Sequence, residues 1–290
     1  MEFILDCLKD AAVDTVKLVP FLFVTYLAME YLEDRAGEKS ETALERAGRF
    51  GPVIGGVIGI VPQCGFSAAA ASLYSGGVIT VGTLLAVFLS TSDEMLPLMI
   101  SEAVPAGSVG KILLAKAVMG VITGLAVDAI LKAIGIRRTE KHIHDLCEQA
   151  HCGCDDEEEH GILMPALRHT IQIVIFIFII SFAITLLVEG IGEDAVGGFL
   201  TKRPVTGVLL AGIVGLIPNC ASSVMLTELY LNELLSAGQM MAGLMVGAGV
   251  GLLVLFRTNR HMKDNLRITL LLYLTGIAWG LIIEAAGITF

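Results

Sequence analysis

Two short segments of the chain combine a sulfur ligand and an oxygen ligand for a metal in the same order. In the first, Gln63 and Cys64 follow a proline, and in the second, Asn219 and Cys220 follow another proline. A thiolate suits zinc, copper(I) and related heavy metals or metalloids, and an amide adds an oxygen. Both segments lie inside apolar runs. A proline, a carboxamide and a cysteine in that setting indicate a binding site more than simple packing.

The two segments are copies of one sequence repeat. Residues 56–74 and 212–230 are identical at seven of nineteen positions, at a constant offset of 156. The same offset aligns Gly82 with Gly238, Gly120 with Gly276, Gly124 with Gly280 and Asp128 with Glu284, without a gap. Many transporters are built from such repeats and bind substrate at the repeat interface, near the middle of the bilayer.

Composition indicates a membrane protein. The chain is 55% apolar and 17% charged, with a mean hydropathy of +0.78. Residues 170–188 and 238–256 each contain nineteen residues without a charge, and a helix needs about 20 apolar residues to span a bilayer. We therefore expect an all-α integral membrane protein. The N-terminus lacks the pattern of a cleavable signal peptide, and nothing suggests a nucleic-acid partner.

The basic residues predict the orientation of the two halves. Three connections hold four each: Arg35, Lys39, Arg46 and Arg49; Arg137, Arg138, Lys141 and Arg168; Arg257, Arg260, Lys263 and Arg267. The remaining loops and ends hold five. Because cytoplasmic loops are enriched in Lys and Arg, all three connections are predicted to be cytoplasmic. Each half then crosses the membrane an odd number of times, so the two repeats are predicted to have inverted topology.

An odd number of crossings requires broken or re-entrant helices at 51–76 and 207–232. Each arm of about eleven residues reaches about 16 Å, half of the hydrocarbon core. The tips with Pro62 and Pro218 are thus expected near the midplane, where irregular backbone needs a protein or water-filled surrounding. By contrast, the apolar run 234–256 is expected to be a single span. The predicted divisions are a first membrane repeat (1–134), a cytoplasmic linker (135–167) and a second membrane repeat (168–290).

Several polar residues near the motifs are further pathway candidates. Ser67 and Ser223 lie three residues after each cysteine, on the same helix face. Asp93 and Glu94 end an apolar run, and carboxylates within a membrane are functional candidates by default, although both could instead lie in a hydrated loop. Glu228 lies eight residues after the second cysteine and could line the approach to the site or simply face water.

The central linker holds a second group of candidate metal ligands. They are His142, His144, Cys147, His151, Cys152, Cys154 and His160. Five consecutive acidic residues at 155–159 lie between the last two of them. A short tract rich in Cys and His is typical of metal binding, although the spacing matches no standard zinc finger. The alternative is an acidic loop with incidental thiols. On the predicted topology the tract faces the cytoplasm, where thiols stay reduced.

These motifs resemble those of the ten-transmembrane heavy-metal exporter family. The resemblance rests on Pro-Gln-Cys-Gly at 62–65, Pro-Asn-Cys at 218–220, Ser-Thr-Ser-Asp-Glu-Met at 90–95 and the His/Cys-rich linker. It covers roughly residues 10–288 and implies export of a metal or metalloid across a prokaryotic inner membrane. The implied pathway residues are Pro62, Gln63, Cys64, Asp93, Glu94, Pro218, Asn219 and Cys220. The resemblance does not specify the ion.

The resulting hypothesis is a secondary transporter, not an enzyme. A cytosolic metal would bind between Cys64 and Cys220, while Asp93 and Glu94 offset its charge and take a coupling proton. No nucleotide-binding Gly-x-x-x-x-Gly-Lys-[Ser/Thr] motif is present. The expected partners are the transported ion and the lipid bilayer, and no tightly bound cofactor is expected. The sequence leaves open whether the protein forms a homo-oligomer.

Two alternatives stay open at the level of sequence. The first is a manganese exporter that uses the oxygen ligands of Asp93, Glu94, Gln63 and Asn219, with the cysteines serving only in packing. The second is a membrane thiol–disulfide oxidoreductase that uses Cys64 and Cys220, although the chain lacks a Cys-x-x-Cys pair at these positions.

Overall fold

The structure, a computed structural model, describes residues 2–35, 50–61, 64–92, 95–135, 163–191 and 204–290. These residues form helices and no strands. In chain order the helices are α1 (Glu2–Arg35), α2 (residues 50–58), α3 (Cys64–Ser75), α4 (Val81–Ser90), α5 (Met95–Ser101), α6 (Ala106–Ala133), α7 (Leu163–Ile191), α8 (Pro204–Gly215), α9 (Cys220–Leu231), α10 (Ala237–Val246), α11 (Val250–Thr258) and α12 (Met262–Ala286).

Five stretches of the described residues are long and apolar enough to cross a membrane. They are Val81–Ser101, Ala106–Ala133, Ala166–Ala183, Ala237–Thr258 and Met262–Ala286. The first and fourth, each built from two helices, are 75% and 83% buried, whereas α6 and α12 are 44% and 33% buried. The two broken spans therefore form the interior and α6 and α12 the periphery. The all-helical, multi-pass membrane architecture predicted from composition is confirmed.

Helix boundaries repeat along the chain at the same offset as the sequence. The bounds of α9 and α10 are those of α3 and α4 displaced by 156 residues. The turns that follow α3 and α9 also match: Gly77 and Glu233, again 156 apart, both have a positive φ, of 76° and 61°. Glutamate rarely adopts this conformation, which glycine adopts freely. The repeat thus dictates backbone geometry even where the residue type is unfavourable.

Glycines bring the helices of each half into close contact. A Cβ atom at Gly124 in α6 would lie 2.4 Å from the carbonyl oxygen of Gly82 in α4. In the second half, a Cβ atom at Gly238 in α10 would lie 2.7 Å from the carbonyl oxygen of Gly280 in α12. Small residues at such crossings allow the backbones of membrane helices to approach closely. The glycines that the repeat aligns therefore have a packing role.

Contacts between the two halves are reciprocal. The motif helix α3 packs against α11, and its counterpart α9 packs against α5, which is the counterpart of α11. The first helices of the two halves, α1 and α7, also pack together. The largest hydrophobic cluster draws from both halves, including Leu22, Phe88, Met99, Ile177 and Met245. The two halves therefore share one core.

The predicted span over 234–256 is present as Ala237–Thr258, but its helix is interrupted. Helix α10 ends at Val246 and α11 begins at Val250, with a break between them. Gly249, in the break, has φ 51° and ψ −138°, a conformation that favours glycine. The counterpart of this break separates α4 from α5 at residues 91–94. Each half therefore has two interrupted helix pairs: one at the motif and one in the following span.

Candidate functional site

Each of the two motif cysteines, Cys64 and Cys220, is the first residue of a helix. Cys64 begins α3 and is half-buried, and Cys220 begins α9. Pro62 and Gln63 lie outside the described residues, as does the side chain of Cys220. The amino-terminal end of a helix carries a partial positive charge and unsatisfied N–H groups, so it favours an anionic group such as a thiolate.

In the second copy, the carboxamide caps the helix that the cysteine begins. Asn219 is 5% exposed, and its Oδ1 accepts a long hydrogen bond of 3.4 Å from the N–H of Ala221. The hydroxyl of Ser222 donates to the carbonyl oxygen of Asn219 at 2.8 Å. Pro218, before it, is half-buried in the break between α8 and α9. Asn219 thus fixes the tip by an N-cap.

The serines that follow the two cysteines have different surroundings. Ser67 is fully buried, and its hydroxyl donates to the carbonyl oxygen of Cys64 at 2.8 Å. A Cβ atom on Gly251 would lie 2.8 Å from the Cβ of Ser67, so Ser67 is at the contact between α3 and α11. Ser223 is half-buried, and Glu228 is exposed on α9. Whether these residues line a pathway stays a prediction.

Three elements from both halves meet at Gly251, the second residue of α11. The position of its missing Cβ is 2.8 Å from Ser67 in the first turn of α3 and 2.9 Å from Phe88 in the last turns of α4. Thr91, the C-cap of α4, follows Phe88 by one turn and is 2% exposed. The break in α4–α5 is thereby close to the motif helix α3 and to the break in α10–α11.

Asp93 and Glu94 follow this point in the chain but lie outside the described residues. The residues just before them, Ser90, Thr91 and Ser92, are buried at 0%, 2% and 1% exposure. The hydroxyl of Thr91 donates to the carbonyl oxygen of Val87 at 2.7 Å, which closes the end of α4. The polar segment 90–92 is therefore buried where the chain leaves α4.

Lys116 in α6 was not among the residues predicted for the site. This lysine is 1% exposed, and its Nζ donates to the carbonyl oxygens of Thr91 and, at 3.0 Å, Leu244. The first oxygen belongs to the break of the first half, and the second to the last turn of α10 in the second half. A charged residue inside a membrane span is a functional candidate by default. That signal was available in the sequence and would have identified Lys116.

The predicted metal ligands of the linker lie outside the described residues. This applies to His142, His144, Cys147, His151, Cys152, Cys154 and His160. Within the part of the chain that the structure describes, no three His, Cys, Asp or Glu residues are grouped so that they could hold one metal ion. The predicted ligand sets, which depend on residues beyond that part, stay predictions.

The described geometry offers two kinds of partial charge at the helix breaks. The starts of α3 and α9 carry a partial positive charge from their N–H groups, and Cys64 lies at the first of them. The ends of α4 and α10 present carbonyl oxygens, which attract a cation. Broken helices that meet in the interior of a membrane protein are a common way to bind ions during transport.

Comparison with known proteins gives one match. No curated protein and no solved structure matches the chain. A family described as "Putative, 10TM heavy-metal exporter" matches residues 1–194. That match extends from the first residue through the first repeat, the linker and α7, and so covers well over half of the 290 residues. The chain belongs to this family of ten-transmembrane heavy-metal exporters.

Proposed function

We propose that this protein is a secondary transporter that exports a heavy-metal ion or metalloid from the cytoplasm across the inner membrane. The observation that carries the proposal is the meeting of helix breaks from both halves around Lys116 and Gly251. An interrupted helix deep in a membrane protein leaves backbone groups that an ion can use. The family membership supports the same function independently of this geometry.

The proposed ligands come from the starts of the two motif helices. Cys64 and Cys220 supply thiolates, and Gln63 and Asn219 supply amide oxygens. Helix starts stabilise thiolates, and thiolates favour soft metals. Asp93 and Glu94 offset the charge of the ion and accept a coupling proton. The half-buried position of Cys64 suits a ligand that has to be reached from one side of the membrane at a time.

The directions of neighbouring helices support inverted repeats. Ser67 and Ser75 in α3 contact Gly251 and Thr258 in α11 in the same order, so these helices run parallel. Glycine contacts likewise make α2 parallel to α4 and α6 antiparallel to both. Thus α3 has the direction of α11, and α2 has the direction of α4. If α4–α5 and α10–α11 cross the membrane in opposite directions, α3 runs antiparallel to α2, and the two helices form a re-entrant hairpin.

Contacts near the breaks favour that arrangement over parallel repeats. Phe88 in α4 lies against Gly251 in α11. Thr91 follows Phe88 by one turn, and Leu244 precedes Gly251 by seven residues. The carbonyl oxygens of Thr91 and Leu244 both accept a hydrogen bond from the Nζ of Lys116. The order along one broken span is thus reversed along the other. Together with the three basic connections, this supports a cytoplasmic linker that collects metal through its His and Cys residues.

The test of the proposal is export from cells or vesicles by cysteine variants. Cys64→Ser and Cys220→Ser are expected to lower cadmium or zinc efflux at least tenfold, because a hydroxyl is a poor ligand for soft metals. Cys7→Ala is the matched control, since Cys7 is a buried cysteine of α1 outside the motifs. Unchanged efflux in both motif variants, with the protein present in the membrane, would reject thiolate ligation.

A manganese exporter is the second candidate. It is favoured by the carbonyl oxygens of Thr91 and Leu244, which converge on one cationic group from two halves. Oxygen ligands suit manganese better than they suit soft metals. In this case Asp93→Asn should abolish manganese tolerance, while Cys64→Ser and Cys220→Ser leave it intact. The opposite pattern would favour a thiolate-bound heavy metal.

A further inference from the structure

The position of Lys116 requires a physical explanation. Placing a charged amine in a membrane interior is costly, and such residues persist where protein groups compensate the charge. Lys116 lies in the eleventh position of α6 and is 1% exposed, whereas Lys111, five residues earlier on the same helix, is exposed. Its counterpart in the second half, Leu272, is fully buried and apolar. Packing at this position therefore does not require a charge.

The two carbonyl oxygens that bind Lys116 are available because their helices are broken. Thr91 lies just past the end of α4. Near the end of α10, the N–H of Ala248 turns back to the carbonyl oxygen of Val246, and that of Gly247 to Gly243. The carbonyl oxygen of Leu244 is thereby left for the ammonium group. The last carbonyls of a helix lack helical partners and carry partial negative charge.

The ammonium group thus occupies a cation site between the two halves. No residue of α4, α5 or α10 has a titratable side chain, so backbone oxygens supply the attraction from those helices. The other titratable groups of α6 lie elsewhere: Lys111 and Lys132 are exposed, and Asp128 binds the start of α4.

We infer that Lys116 is a tethered cation that fills this site in the unloaded transporter, and that the exported substrate is a metal cation and not a neutral metalloid hydroxide. The inference rests on the proposed export function and specifies its substrate class. A metal cation that binds near the breaks competes with the ammonium for the same oxygens. When the metal leaves, the ammonium returns to these carbonyl oxygens, so the empty protein resets with a cation still bound to them.

This role gives Lys116 a signature that a packing residue would not have. Lys116→Met keeps the side-chain length and removes the charge, so it removes the repulsion of the metal cation. We expect this variant to bind Cd²⁺ or Mn²⁺ about tenfold more tightly or better, while its export rate falls about tenfold because the empty state is no longer neutralised. A purely structural lysine would lose affinity and rate together.

The experiment uses the full protein in lipid nanodiscs for binding and in vesicles for export. Cd²⁺, Mn²⁺ and arsenite are the probes, titrated calorimetrically and followed by metal analysis. Lys111→Met is the control and should keep the affinity of the unaltered protein. Lys116→Gln removes the charge but keeps N–H donors for the two carbonyl oxygens, so we expect tighter metal binding and slower export, as for Lys116→Met; it decides the question if Lys116→Met does not fold.

Three results would overturn the inference. They are metal binding by Lys116→Met that is weaker than or equal to that of the unaltered protein, the same result for Lys116→Gln, and export of arsenite without export of either cation. The last result would leave the exporter function intact and change only its substrate class. If none of the three probes is exported by the unaltered protein, the proposed function itself fails.

Discussion

At the scale of single residues, the two acidic groups that the repeat aligns have one shared task. Asp128 Oδ2 accepts a 2.6 Å hydrogen bond from the hydroxyl of Thr80, the N-cap of α4, and Oδ1 accepts from the N–H of Gly82 at 2.9 Å. Glu284 accepts from the hydroxyl of Ser236, the N-cap of α10. Each acid therefore ties the start of an inner helix to the end of an outer one.

Replacing Asp128 should lower stability without changing which ion is exported. Asp128→Ala leaves the hydroxyl of Thr80 and the N–H of Gly82 without this acceptor, which we expect to cost about 1–3 kcal/mol. The measurement is thermal unfolding in detergent, with Lys132→Ala, an exposed change one turn later, as the control. An Asp128→Ala protein as stable as the control, or with altered ion preference, would contradict a purely structural role.

Single residues also mark the reach of sequence reasoning at this site. Cys64 and Asn219 were identified because a proline, a carboxamide and a cysteine recur together at a fixed offset. The repeat does not mark Lys116, since its counterpart is Leu272, and only its charge within an apolar span could have pointed to it. Its partners are backbone oxygens, which every residue has, so no pattern of residue types points to them. Only the tertiary structure brings Thr91 and Leu244 to one amine.

At the scale of helices, prolines and glycines had different predictive value. Pro62 and Pro218 correctly indicated interruptions, because proline removes a backbone donor and ends a helix. The break at 247–249 was missed because glycines spaced four apart in a membrane helix usually indicate packing. That interpretation was correct for Gly243 and Gly251, which lie in close contacts. The alignment of residues 247–250 with the polar segment 91–94 was the overlooked sign.

The glycine crossings predict a position-dependent effect of alanine within one helix. In α6, a Cβ atom at Gly124 would lie 2.4 Å from the carbonyl oxygen of Gly82 and 2.9 Å from Pro52, so α4 and α6 would have to separate. Gly124→Ala is expected to destabilise the protein by about 1–3 kcal/mol. A Cβ atom at Gly110 would meet nothing within 4 Å.

The matched variant Gly110→Ala should therefore be neutral or stabilising by up to about 1 kcal/mol, because alanine favours the helix over glycine. Unfolding of both variants in a denaturing detergent series measures the difference directly. Equal stability of Gly124→Ala and Gly110→Ala would show that the crossing of α4 and α6 is looser than its contacts indicate.

At the scale of the whole molecule, one hydrogen bond joins a residue to its own counterpart in the sequence repeat. The indole Nε1 of Trp279 in α12 donates to Thr123 Oγ1 in α6 at 2.9 Å, and these two residues are 156 positions apart. In an arrangement related by a two-fold axis, a residue contacts its own counterpart only near that axis. If the halves are related by such an axis, it passes close to the contact between α6 and α12. The sequence repeat predicted equivalent halves but not where they touch.

The direction of that axis decides between inverted and parallel repeats, and it can be measured by labelling. If the axis lies in the membrane plane, equivalent turns face opposite sides. Glu102, in the turn between α5 and α6, and Arg260, in the equivalent turn between α11 and α12, are both exposed. With the basic connections inside, Glu102→Cys should react with a membrane-impermeant maleimide in intact cells, whereas Arg260→Cys should react only after the cells are opened. Lys132→Cys, at the other end of α6, is the control and should behave like Arg260→Cys.

Reaction of Glu102→Cys and Arg260→Cys from the same side would establish parallel repeats. The two motif tips would then enter the membrane from one face and could not form the proposed site.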